Sequence, residues 1–175
     1  MQLINYILLS IAVYLGSMIG WMLCHLAPEE LAELKKYMDY ISNILLFAPL
    51  PILLWIIWPN NILISIILLA ICVLLIFIML SKLKNKWLEL NTVIANIYLS
   101  FIFYISTIYQ KDVSLIIASI FFMYFLMSAS YYIAHNTKNK KLYNKYFFKL
   151  SRYNLIFLIV SIILYLGFNT SGGVV

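Results

Sequence analysis

Six stretches of the chain, Ile4 to His25, Ile41 to Trp58, Ile62 to Leu80, Thr92 to Tyr109, Val113 to His135 and Tyr153 to Phe168, contain no Lys, Arg, Asp or Glu and are dominated by apolar residues. About 20 such residues, rising 1.5 Å each, cross a hydrocarbon layer of roughly 30 Å. That layer holds no water to satisfy backbone N–H and C=O groups, so each stretch must bond its own backbone and is predicted to be a helix. With 65% hydrophobic and 10% charged residues, 175 residues carry too little polar surface to cover a soluble globule. The expected fold is all-α: one polytopic domain, residues 1–175, built as an integral membrane bundle of six transmembrane helices.

The charges orient that bundle. Eleven of the twelve basic residues fall in the first, third and fifth hydrophilic gaps: Lys35 and Lys36, then Lys82, Lys84 and Lys86, then Lys138, Lys140, Lys141, Lys145, Lys149 and Arg152. Only Lys111 falls on the other side. Cytoplasmic loops carry the Lys/Arg excess, so the sequence predicts a cell-membrane protein with loops 1, 3 and 5 cytoplasmic and both termini outside. An odd number of spans would scatter these charges. The second stretch is interrupted by Pro49 and Pro51, yet making it re-entrant would break the charge pattern, so it is expected to cross. The first stretch has no basic residue before it, and its apolar run is long for a signal peptide; an uncleaved anchor is expected. Trp55 and Trp58, and Trp21 and Trp87, stand at expected headgroup boundaries. Cys24 and Cys72 lie at different expected depths, which suits packing better than a disulfide.

After the first stretch, Pro28 suits the first turn of a helix, and Glu29, Glu30 and Glu33 place negative charge at its positive dipole end. Leu31, Leu34, Met38 and Ile41 recur at three- and four-residue spacing, which predicts a short cytoplasmic interfacial helix leading into the second span. The run Leu26-Ala27-Pro28-Glu29-Glu30-Leu31, followed by Lys35-Lys36-Tyr37, resembles a juxtamembrane pattern of uncharacterised small polytopic membrane proteins of archaea. That pattern often has Pro-Gly before the Lys pair, where this chain has Ala32-Glu33-Leu34. The resemblance implies lineage, with no activity, cofactor or site residue.

Three sets of residues are candidates for function. Ala12, Gly16, Gly20 and Cys24 repeat every four residues and contain a G-x-x-x-G, a face that lets another helix backbone approach closely. The partner is either a helix of this chain or one of an oligomer or larger complex. Thr92, Asn96, Ser100 and Thr107, with Tyr104 close by, form a polar stripe. It serves either interhelical hydrogen bonding or a cavity, to which Pro49 and Pro51 would add the free carbonyls of Leu45 and Phe47. Finally, Lys138, Lys140, Lys141, Lys145, Lys149 and Arg152 are interleaved with Tyr143, Tyr146, Phe147 and Phe148. Between two membrane spans this pattern points to anionic lipid headgroups, at about 1 kcal/mol per basic residue, and away from nucleic acid. On the exported tail, Asn169-Thr170-Ser171 is an N-x-S acceptor.

The spans contain no intramembrane carboxylate or cation of the kind that marks ion pathways. The chain also has no G-x-S-x-G, no H-E-x-x-H and no phosphate-cradling glycine loop. No cofactor or metal is expected. The reading that follows is a non-catalytic multi-pass protein, a subunit or accessory factor of a membrane complex or a homo-oligomer. The alternative is a small transporter or binding component for a neutral or apolar solute. A lipid-acting enzyme, using His25, Glu29, Glu30 and His135, is a third reading.

Overall fold

The computed structural model describes residues 2–58, 62–63, 66–67, 69–70, 88–109, 111–137 and 139–169. The principal elements are α1 (Leu3–Leu26), α2 (Pro28–Phe47), α3 (Pro49–Ile57), α4 (Leu88–Tyr109), α5 (Lys111–Asn136) and α6 (Tyr143–Asn169), with a 3-10 turn at Lys140–Leu142. Among the described residues there is no strand. Four described segments are long and apolar enough to cross a membrane: Leu3–Leu26, Tyr37–Ile57, Asp112–Asn136 and Lys140–Gly167. Thr92–Ile108 is a shorter apolar helix. The third expected span, Ile62 to Leu80, lies outside the described residues except at 62, 63, 66, 67, 69 and 70, which are helical and exposed. Cys72, Trp87 and Lys138 also lie outside them.

Local chemistry sets the breaks. Proline disfavours the α region for the residue before it, and Ala27, at φ −132° and ψ 59°, ends α1 just before Pro28 opens α2. Ala48 by contrast stays helical at φ −55° and ψ −33°, with its N–H on the Ile44 carbonyl at 2.9 Å. Pro49 and Pro51 therefore remove donors without taking Ala48 out of helical geometry. The helix expected at Pro28 forms there and leads, as expected, into the second apolar stretch, as one continuous helix to Phe47. Its stripe also divides: Leu31 and Met38 are buried, whereas Leu34 and Ile41 face outward. The buried pair is seven residues apart, two full turns, and meets Cys24, Ile133, Tyr143 and Phe147.

The region expected as a loop from Asn136 to Arg152 is largely helical. α5 continues to Asn136, and the Asn139 side chain accepts the Lys141 N–H at 3.0 Å to cap the 3-10 turn. α6 then begins at Tyr143. Tyr143, Phe147 and Leu150 form its inward stripe, with Lys145, Phe148, Lys149 and Arg152 facing out.

Helix directions follow from the contacts. Gly16 and Gly20 of α1 meet Phe122 and Leu126 of α5 in the same order, so these two helices run parallel. Against α6 the order reverses: Tyr6 with Ser161, Tyr14 with Ser151, and Trp21 with Asn144. α4 runs parallel to α6, since Asn96 bonds Tyr153 and Ser100 bonds Phe157. α2 starts beside the end of α1, and α3 enters the cluster that holds Tyr6 and Phe103, so this pair runs against α1. At the centre, Phe103, Phe121, Phe125 and Phe157 are fully buried, with Phe157 5.3–6.2 Å from the other three ring centroids. Lipid tails are as apolar as these rings, so in a bilayer this core holds by dispersion and shape more than by escape from water.

Candidate functional site

The glycine face of α1 is occupied within the chain. A Cβ at Gly16 would run into the Phe122 carbonyl, and one at Gly20 into the Leu126 carbonyl while also lying 3.1 Å from Ala129 Cβ and Ser130 Oγ. Ser130 donates to the Gly20 carbonyl at 3.1 Å and to its own helix at Leu126 at 2.9 Å. The buried Cys24 thiol lies 3.7 Å from the Ser130 carbonyl. Val13 and Ser17 are buried on this side, but Ala12 is exposed. Helical rotation of 100° per residue explains this. A four-residue repeat drifts about 40° per step, so Ala12 is displaced by about 120° from Cys24.

The polar stripe of α4 faces α6. Asn96 is 1% exposed; its Nδ2 donates to the Tyr153 carbonyl at 3.0 Å and to Asn154 Oδ1 at 3.3 Å. Ser100 donates to its own helix at Asn96, 2.8 Å, and across to the Phe157 carbonyl, 3.0 Å. Thr107 Oγ1 turns back to the Tyr104 carbonyl at 2.7 Å, and Tyr104 is buried. Asn96 Oδ1 and Asn154 Nδ2 and, about two turns further along α6, Ser161 Oγ are buried with no hydrogen-bond partner among the described residues. Asn154 opens an apolar run and so carries in sequence the signal that marks Asn96, whereas a serine such as Ser161 is too common in these runs to stand out. Of the two prolines, Pro49 is buried, whereas Pro51 lines a surface groove with Leu54, Trp55 and Trp58.

Where α1 ends, His25 Nδ1 lies 3.2 Å from the Trp21 carbonyl, and its ring packs edge-on to Trp21 and Tyr143. His135 is exposed beside Tyr131. Glu29 and Glu30 are also exposed, and among the described residues no three His, Cys, Asp or Glu side chains gather as a metal set would.

The basic residues Lys140, Lys141, Lys145, Lys149 and Arg152 are all exposed; Lys140, Lys141 and Lys145 stand near this end, whereas Arg152 follows the Ser151 that meets Tyr14, halfway along α1. Lys145, Lys149 and Arg152, with Tyr146 and Phe148, line a cleft of about 450 Å³. Residues 113–175 contain no Asp or Glu and six basic residues, which equals the formal charge of +6 carried by the whole chain. No protein-family model matches the chain, and neither a curated protein nor a solved structure matches it.

Proposed function

We propose that this is a non-catalytic, six-span protein of the cell membrane, with both termini outside, acting as a subunit or accessory factor of a larger membrane assembly. Helix direction supports the topology. α1 and α5 run one way while α2 with α3, α4 and α6 run the other, which is the parity of spans 1 and 5 against spans 2, 4 and 6. α3 finishes at one end of the bundle and α4 begins at the other, as a third span between them requires. Exposed Lys140, Lys141 and Lys145 stand at the end expected inside.

The observation that carries the non-catalytic part is the use of the polar side chains. Tyr6, Asn96, Ser100 and Ser130 each bond a carbonyl of a neighbouring helix, so they work as interhelical ties. With Gly16 and Gly20 already filled by α5, a partner would meet the outward face of α1, where Ile4, Leu8, Ile11, Leu15, Met18 and Met22 are exposed.

Topology is tested by cysteine labelling in intact cells, with Cys24 and Cys72 changed to Ala. An impermeant maleimide should label Gln2→Cys directly and Lys140→Cys only after permeabilisation; the opposite pattern overturns the orientation. Association is tested by gentle-detergent extraction with mass spectrometry. Co-purifying proteins support the subunit reading, and a lone 20.4 kDa chain overturns it. The unpartnered Asn96 Oδ1, Asn154 Nδ2 and Ser161 Oγ favour a second reading, passage of a small neutral solute. In that case Asn96→Leu abolishes solute binding while the protein still folds.

A further inference from the structure

Arg152 is a cation at the middle depth of the bundle. Its neighbour Ser151 meets Tyr14, the twelfth of the 24 residues of α1, and its other neighbour, Tyr153, accepts from Asn96 of α4. Arg152 itself is exposed on the outward side of α6, about 200° around the helix from Asn154, which faces α4. Asn144, beside Trp21 at the expected inner boundary, lies eight residues and about 12 Å nearer the inner end. Helical side chains slant toward their N-terminus, so the guanidinium leans that way, yet reaching a headgroup takes about twice the length of an arginine. Among the described residues Arg152 makes no hydrogen bond or ion pair.

A guanidinium stays charged in any protein environment, and a cation facing hydrocarbon is costly unless it meets an opposite charge. The chain itself has none at this depth. Glu29, Glu30 and Glu33 open α2 beside the end of α1, and Asp39 follows Met38, whose cluster includes Cys24 and Ile133 at that same end. Glu89 stands seven residues before Asn96, about 10 Å nearer that end, and Asp112 opens α5 at the opposite one. These six are all the acidic residues of the sequence. A second copy turned about the membrane normal keeps every residue at its own depth, so it brings no carboxylate level with Arg152 either.

We propose that the outward face of α6 docks a transmembrane helix of a different protein, one that carries an Asp or Glu at mid-depth opposite Arg152. The inference rests on the subunit reading above and adds to the α1 face a second contact with defined chemistry. Toward the outer end the same face offers Leu155, Ile159 and Ile163, 41–61% exposed, an aliphatic surface for the rest of that helix. The planar fork of Arg152 takes both carboxylate oxygens, and such a pair, away from water, fixes the depth and rotation of the partner. An anionic headgroup is the lesser match, because it would have to sink to the middle of the hydrocarbon.

The test is photo-crosslinking of the full-length chain in its native membranes. The photoreactive residue p-benzoylphenylalanine replaces Phe148 or Ile159, about one turn to the inner side and two turns to the outer side of Arg152 on the same face, or Leu8 on α1 as a comparison. Adducts are sequenced by mass spectrometry. The α6 probes should give an adduct whose linked peptide is an apolar segment of another protein with an Asp or Glu near its middle. Arg152→Leu should lower its yield about tenfold or more, and Arg152→Lys only about threefold, since the charge remains but the fork does not. Exchanging the charges, Arg152→Asp with that carboxylate changed to Arg, should restore the yield. Arg152 is exposed, and an unchanged elution volume checks that each variant folds. An adduct with a second copy of this chain, with lipid alone or with a segment that has no carboxylate overturns the proposal. So does a yield that Arg152→Leu leaves unchanged, or no adduct at all from α6. If Leu8 gives an adduct while the α6 probes give none, the subunit reading stands and only this contact fails; if no position gives one, both fail. A chain found only in the soluble fraction would mean that the membrane reading itself fails.

Discussion

Two parallel helix pairs, α1 with α5 and α4 with α6, solve the same problem by different chemistry. In the first pair Gly16 and Gly20 remove side-chain bulk, so that the carbonyls of Phe122 and Leu126 fit where a Cβ would be. In the second pair Asn96 and Ser100 reach across to the carbonyls of Tyr153 and Phe157. Water drives neither association once both helices are in lipid, so close packing dominates one contact and directed hydrogen bonds dominate the other. The difference teaches that the α1–α5 contact is sensitive first to added volume, whereas α4–α6 is sensitive first to lost polarity.

The largest expected effect comes from overpacking the glycine face. Gly20→Leu should cost about 3 kcal/mol, because its first added atom meets backbone that cannot swing aside. This is read as a lower midpoint in detergent-unfolding titrations, and an unchanged midpoint would show that the helices separate freely. Asn96→Leu should cost less, about 1 kcal/mol, since it removes two bonds but also a buried carbonyl with no partner. Combining it with Asn154→Leu sharpens the comparison: the pair should cost less than the sum of the single changes, because the two amides share a bond. A strictly additive double-mutant cycle would argue that they do not interact. Ser130→Ala should cost about 0.6 kcal/mol, a typical value for one interhelical bond. Smallest of all, Ala12→Leu should stay within about 0.5 kcal/mol, since Ala12 is exposed. A loss as large as that of Gly20→Leu would place a partner helix on that side.

Much of the first contact was legible before the structure. The small residues Gly16, Gly20 and Cys24 marked the face, and only Ala12 departs from it, because a strict four-residue repeat winds around a helix of 3.6 residues per turn. The second contact was legible from one side. Asn96 and Ser100 stood out in α4, but their acceptors are mostly backbone carbonyls of α6, which every residue type carries. Asn154 carries the same signal as Asn96, an amide in an apolar run. The start of α6 was hidden differently: Tyr143, Phe147, Leu150 and Asn154 recur at helical spacing, but the cations between them gave the segment a loop-like composition.

The sequence by itself determined apolar helices over the described segments, because stretches this long and apolar would have no other internally bonded form in hydrocarbon. It also determined which segments carry the cations, since charge density is a local property of the chain. Only the tertiary structure decided that Gly20 faces Ser130, that Asn96 faces Asn154, and that Arg152 of α6 faces outward beside the middle of α1. An apolar helix is nearly as well solvated by lipid on every side, so its own residues favour no single neighbour. The choice comes from close packing and hydrogen-bond geometry, which exist only once two helices have met.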